Sequence, residues 1–90
     1  MNIDTEKAFF RDLKKITDPA LKEEIEQTIL TVIAAKTIKD IPKLKKVKGK
    51  KKGVSYRIRV GSYRIGVTIV GDMLTFVCCL PRKDIYKSFP

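Results

Sequence analysis

The hydrophobic pattern changes period once along the chain, and neither half can bury its apolar side without the other. Up to about residue 35, apolar residues recur at helical spacing. Phe9, Phe10, Leu13 and Ile16 fall on one stripe from about Glu6 to Ile16, and Leu21, Ile25, Ile29, Val32 and Ile33 on a second that runs to about Ala35. Asp18-Pro19 separates them as a restart signal, with Asp18 as N-cap and Pro19 at the first helical position. From Val54 the period is two. Tyr56, Ile58 and Val60 alternate with Ser55, Arg57 and Arg59; after Gly61-Ser62, Tyr63, Ile65, Val67 and Ile69 alternate with Arg64, Gly66 and Thr68. After Gly71-Asp72 a third run extends from Met73 to Leu80. Both two-residue breaks begin with glycine, which suits a type II′ hairpin turn.

These patterns predict an α+β fold of two layers. An N-terminal helical hairpin packs on an antiparallel sheet, a three-stranded meander with residues 2–5 as a candidate edge strand. Pro81 ends the last strand, and Arg82 to Lys87 form a short C-terminal helix. Pro42, Gly49 and Gly53 punctuate a lysine-rich connection in which Leu44 and Val47 tack a short turn to the core. Ninety residues, 43% of them hydrophobic, suit a single domain over residues 1–90. No apolar run approaches the ~18 residues of a membrane span, and no signal-peptide core opens the chain. The expectation is a soluble cytoplasmic protein with no membrane partner.

Charge is distributed very unevenly. The chain carries 20 Lys and Arg against 10 Asp and Glu, a formal charge of +10. Residues 1–42 are nearly balanced, whereas residues 43–64 hold ten cations and no acid, so this one segment supplies the whole excess. A field of one sign is the footprint of a polyanionic partner. The lysines Lys43, Lys45, Lys46, Lys48, Lys50, Lys51 and Lys52 read either as an RNA-binding loop or as a solvated, solubilising one.

The absence of histidine excludes Ser-His and Cys-His nucleophile systems and the imidazole acid–base pair. Cys78 and Cys79 are chain neighbours on opposite faces of a strand, so they cannot form an ordinary disulfide, and two thiols fall short of a metal site. No metal and no cofactor is expected.

Tight turns fix the registers. Val60 faces Tyr63, Arg59 faces Arg64, Ile58 faces Ile65 and Arg57 faces Gly66. In the second hairpin the same arithmetic sets Ile69 against Leu74, Val67 against Phe76, Ile65 against Cys78 and Arg64 against Cys79. One face then carries the apolar residues, ending with Cys78, and the other carries Arg57, Arg59, Arg64, Thr68, Thr75 and Cys79. Like charges directly across a sheet destabilise it by about 0.2–1 kcal/mol. Arg59 opposite Arg64, with Arg57 two positions along, therefore suggests a phosphate site, since guanidinium forks match phosphate oxygens and keep their charge when crowded. Gly66 leaves room for a ligand backbone on that face, and Cys79 beside Arg64 is a candidate reactive thiol. In the tail, Arg82 and Lys83 with Tyr86 suit single-stranded nucleic acid, with phosphate on the cations and a base on the ring; otherwise Tyr86 plugs the sheet edge.

The block Tyr56-Arg57-Ile58-Arg59-Val60-Gly61-Ser62-Tyr63-Arg64-Ile65-Gly66, followed by Arg82-Lys83-Asp84-Ile85-Tyr86, resembles the RelE family of toxins from prokaryotic toxin–antitoxin pairs. The first helix, Phe9 or Phe10 through Lys15, extends that resemblance over nearly the whole chain. The resemblance implies ribosome-dependent cleavage of mRNA in the A site, by attack of a ribose 2′-hydroxyl on its own 3′-phosphate, and a cognate antitoxin as protein partner. It assigns Arg57 and Arg59 to holding RNA or assisting proton transfer, Arg64 and Arg82 to stabilising charge on the scissile phosphate, and Tyr86 to stacking on or orienting the nucleotide. Lys83 and the loop lysines would bind RNA and ribosome.

Two other functions stay open. A gyrase inhibitor of the ParE branch shares the fold, although its members usually lack the Arg and Tyr constellation. A non-catalytic RNA- or ribosome-binding module draws support from Pro81, which stands where many relatives have His or another basic residue, and from arginine's reluctance to exchange protons.

Overall fold

Helix α2, Pro19–Ala34, begins where Asp18 turns its carboxylate back on the chain and accepts a hydrogen bond from the Ala20 N–H at 3.0 Å. This satisfies one of the donors orphaned at a helix start, and Pro19 has no N–H to lose. In the computed structural model, which describes residues 1–48 and 53–90, α2 follows β1 (Asn2–Thr5) and α1 (Lys7–Lys14). Strands β2 (Leu44–Val47), β3 (Val54–Val60), β4 (Tyr63–Val70) and β5 (Met73–Pro81) come next, and α3 (Arg82–Ser88) closes the chain.

The five strands form one sheet in the order β1-β5-β4-β3-β2. β1 runs parallel to β5, and the other neighbours are antiparallel. Gly61 and Gly71 take φ of 58° and 59° while Ser62 and Asp72 stay negative, the signature of type II′ turns. The first hairpin keeps the expected register, including Arg59 opposite Arg64 and Arg57 opposite Gly66.

Three expectations are corrected. Leu44 and Val47 belong to a strand rather than a turn: Leu44 pairs with Ile58 and Lys45 with Arg57. Phe10 and Ile33 lie on the outer sides of α1 and α2 and are 54% and 50% exposed, leaving Phe9 and Leu13 of α1, Ile16 just past it, and Leu21, Ile25, Ile29 and Val32 of α2 to face the core. The second hairpin slips by one residue at a bulge beside Gly66 and Val67. Val67 still meets Phe76, but Gly66 meets Cys78, Ile65 meets Cys79 and Arg64 meets Leu80, leaving Val77 as the extra residue.

The slip exchanges the two cysteines. Cys79 joins the main core, where Ile58, Val60, Ile65, Val67, Leu74 and Phe76 of the sheet meet Phe9, Ile16, Ile25 and Val32 of the helices. Its N–H lies beyond the end of β1 and donates to Asp12 Oδ2 at 2.9 Å, which ties α1 to β5. Cys78 instead turns to the opposite face and packs with Ile85 and Phe89. Those two, spaced i and i+4 on and just past α3, form the buried stripe of a short helix laid over that face.

Candidate functional site

Alternate residues of neighbouring strands share a face, so the register alone brings the cations together. Lys45 of β2 is opposite Arg57 of β3, and Arg59 is opposite Arg64 of β4. Just before β2, Pro42 and Lys43 make a turn in which Lys43 takes φ of 60°, as the third residue of a type II turn requires, and the Lys43 carbonyl accepts from the Arg59 N–H at 3.2 Å. Lys43, Lys45, Arg57, Arg59, Arg64 and Tyr86 together line a cavity of about 350 Å³, and none of these described residues is acidic. Lys43 and Arg59 also border a second cavity of about 420 Å³, which opens onto Glu23, Glu24 and Gln27.

The cations are held in different ways. Arg64 is half-buried, and its Nη1 donates to the carbonyls of Gly61 at 3.0 Å and Tyr63 at 2.8 Å, which pins the guanidinium to the β3–β4 turn. Arg57 lies with its guanidinium carbon 4.4 Å from the centre of the Tyr86 ring, a cation–π contact, and its Nε is buried with no hydrogen-bond partner. Arg59 is exposed and projects from the same strand.

Helix α3 delivers Tyr86. Its first N–H, that of Arg82, donates to the Ser62 carbonyl at 3.0 Å, so the helix starts against the β3–β4 turn and runs back across the sheet. The stripe of Ile85 and Phe89 seats it, while Arg82 and Tyr86, also four residues apart, meet on its outer side. Arg82 Nε donates to the Tyr86 hydroxyl at 2.9 Å. That bond, with the nearby positive charge, holds the phenol below its ordinary value of 10.0. Tyr86 is 52% exposed, so the plug over the sheet is Ile85 and Phe89 rather than the tyrosine.

Of the residues expected to form the site, Arg57, Arg59, Arg64, Tyr86, Lys43 and Lys45 meet around one cavity. Arg82 joins through the Tyr86 hydroxyl. Lys46, Lys48 and Lys83 are exposed and are not among its lining residues. Lys50, Lys51 and Lys52 lie outside the described residues. Gly66 does not leave space for a ligand: a Cβ there would stand 2.7 Å from Cys78 Sγ and 3.0 Å from the Phe89 ring. The sheet face is therefore divided, with α3 on the Gly66 side and the cations on the other. Nor is Cys79 a reactive thiol. Burial, with the Asp12 carboxylate adding to it, pushes it up to about 12. Among the described residues, no group of side chains could hold a metal ion, and no helix is long and apolar enough to cross a membrane.

Seven of the ten residues from Lys43 to Lys52 are lysine, so nothing in the local sequence marks out Lys43 and Lys45 for the cavity. The strand pairing that singles them out carries no alternating signal of its own.

No protein-family model matches the chain. Toxin RelE3 of Methanocaldococcus jannaschii is 38% identical to it over 85 residues, which is 93% of each chain. The chain belongs to the RelE family of toxins. The RelE fold agrees with this. In the crystal structure of the RelB-RelE antitoxin-toxin complex from Methanococcus jannaschii, a chain 34% identical superposes with a TM-score of 0.73, over 97% of this chain and 99% of that one. The archaeal RelE-RelB complex from Pyrococcus horikoshii matches at a TM-score of 0.69 with 16% identity, over 90% of this chain and 93% of that one. At that identity the likeness speaks for the fold alone.

Proposed function

We propose that this RelE-family toxin arrests translation by cutting mRNA in the ribosomal A site. The observation that carries the reading is the acid-free cavity of Arg57, Arg59, Arg64 and Tyr86, walled by Lys43 and Lys45. The ribose 2′-hydroxyl attacks the adjacent 3′-phosphorus and the bond to the next 5′-oxygen breaks. The products are a 2′,3′-cyclic phosphate and a 5′-hydroxyl, so one proton leaves the 2′-oxygen and one reaches the 5′-oxygen. Arg57 and Arg59 hold the RNA backbone. Arg64, already fixed by two carbonyls, offers its remaining N–H groups to charge building on the phosphate, an electrostatic contribution often the largest in catalysis. Arg82 acts through the Tyr86 hydroxyl, and Tyr86 orients the nucleotide.

Residues 1–90 would act as one domain, in the cytoplasm where ribosomes are, with exposed Lys46, Lys48 and Lys83 adding sequence-independent attraction to RNA. The named RelB partners of similar chains support a cognate antitoxin for this one as well, one that covers the basic face.

A second reading, a ribosome-binding module without cleavage, rests on one observation: the described residues lining the cavity are all Lys, Arg or Tyr, with Pro81 ahead of Arg82. Primer extension on mRNA in a translating extract separates the two. Cleavage within ribosome-positioned codons supports the nuclease, and its absence together with a block of translation supports the module. Arg64→Ala should abolish both cleavage and growth arrest while the circular dichroism spectrum stays that of the parent; full toxicity in that folded variant would remove Arg64 from the mechanism.

A further inference from the structure

The cavity holds more positive charge than one nucleotide can neutralise. Five cations border it, from β3, β4 and the segment 42–47, and none of the described residues lining it is acidic. A space of about 350 Å³ admits a single nucleotide, which brings one negative charge. A linear triphosphate is more compact and brings roughly four at neutral pH, since a terminal phosphate alone carries about −1.5 to −2. The site is also built before anything binds. Arg64 is pinned by two carbonyls, Arg57 is held against Tyr86, and the buried Arg57 Nε lacks a partner. For these two arginines little side-chain entropy remains to be lost on binding an anion, which favours affinity, while the exposed Lys43, Lys45 and Arg59 add charge.

We propose that this cavity is a receptor for compact oligophosphates, which occupy it in place of RNA and hold the toxin inactive. The binding half stands on the cavity alone; the inhibitory half rests on the nuclease reading. Recognition is of the phosphate chain rather than of an attached base, because five of the six described residues lining the cavity are cations. Glu23 and Glu24, across the shared Lys43 and Arg59 wall, offset part of the field on that side, so the strongest contacts fall to Lys45, Arg57 and Arg64.

Isothermal titration of the full chain with sodium tripolyphosphate, ATP and orthophosphate, at fixed ionic strength, tests it. Tripolyphosphate should bind one to one and at least about 100-fold more tightly than orthophosphate, given the added charge in a partly desolvated site. ATP should bind no more tightly than tripolyphosphate. Arg57→Gln and Lys45→Ala should each weaken tripolyphosphate about tenfold or more, whereas Lys14→Ala/Lys22→Ala on the helical hairpin, which removes two exposed charges that do not line the cavity, should change it less than twofold. Two site variants are used so that a folding defect in one, visible in its melting, leaves the other decisive.

Equal affinity for the three anions, several equivalent sites, tenfold tighter ATP, or equal loss in the hairpin variant would each overturn the receptor. In the ribosome assay, tripolyphosphate should suppress cleavage at concentrations near its measured Kd. Binding as described with no cleavage by the uninhibited protein would fault the nuclease reading and leave the receptor standing. Cleavage that saturating tripolyphosphate does not slow would overturn the inhibition.

Discussion

The Arg57 guanidinium carbon sits 4.4 Å from the centre of the Tyr86 ring, joining the third strand to the C-terminal helix across 29 residues of sequence. A cation over an aromatic face is worth about 0.5–1 kcal/mol where water has access, and Tyr86 is 52% exposed. A double-mutant cycle in urea on Arg57→Gln and Tyr86→Ala should give a coupling of about that size. Tyr86→Phe, which keeps the ring and drops the hydroxyl, should keep the coupling to Arg57 while losing the bond from Arg82. Coupling of zero in the cycle would mean that the ring does not hold Arg57 in solution.

The same tyrosine should titrate early. Arg82 donates to its hydroxyl, and that bond and the surrounding cations favour the phenolate, so the phenol lies below 10.0. The folded chain then sheds this proton before the unfolded chain does, and the linkage adds stability as pH rises through that interval. Ultraviolet titration at the phenolate band, with Tyr86→Phe subtracted to remove Tyr56 and Tyr63, should give the lowered midpoint. Arg82→Gln should raise it toward 10.0. A midpoint unmoved by Arg82→Gln would show that the bond contributes nothing in solution.

How much of this was legible follows from where periodicity survives. The helices and the first hairpin could be read because Asp18-Pro19, Gly61-Ser62 and the strict alternation from Tyr56 to Thr68 each have a single consistent solution. Strand β2 could not: Leu44 and Val47 are its partly buried residues, three apart, and pairing with β3 rather than local pattern makes it a strand. The bulge was hidden for a related reason. Residues Phe76 to Leu80 are all apolar, so no polar position marks where the extra residue sits, and the arithmetic carried past it. At the site, the shared face of Arg57, Arg59 and Arg64 was written in the register. The contact of Arg57 with Tyr86 was not, because it depends on the direction in which α3 folds back over the sheet. Ile85 and Phe89 set that direction through a second small core on the opposite face.

Gly66 is where that small core meets the sheet. A methyl group there would press on Cys78 Sγ at 2.7 Å and on the Phe89 ring at 3.0 Å, and overpacking of this kind typically costs about 1–3 kcal/mol. Gly66→Ala should therefore lower the urea midpoint, and by shifting Phe89 it should displace α3 and weaken the Arg57–Tyr86 contact. Combining it with Cys78→Ala, which removes the closer obstacle, should recover part of the loss. If the double variant loses as much as the two single variants combined, or more, the crowding at Cys78 is not the cause.

Cys79 gives the fold a dependence on alkaline pH whose sign can be worked out. Its thiol is buried in the core beside the Asp12 carboxylate and is pushed up to about 12, against 9.0 for an unperturbed thiol. Below pH 9 the folded and unfolded chains both keep this proton, and the full contribution to stability is present. Between 9 and 12 the unfolded thiol ionises while the folded one does not, so stability falls with rising pH, by an amount on the order of 4 kcal/mol at most over the whole interval. Urea unfolding at pH 8 and pH 10.5 should show a smaller alkaline loss in Cys79→Ala than in the parent, even though the variant starts lower for want of a packed sulfur. Asp12→Asn keeps an acceptor for the Cys79 N–H and removes the charge, so it should bring the thiol part of the way down. Rapid modification of Cys79 in the native chain at pH 8 by a disulfide reagent would contradict a thiol held protonated in the core.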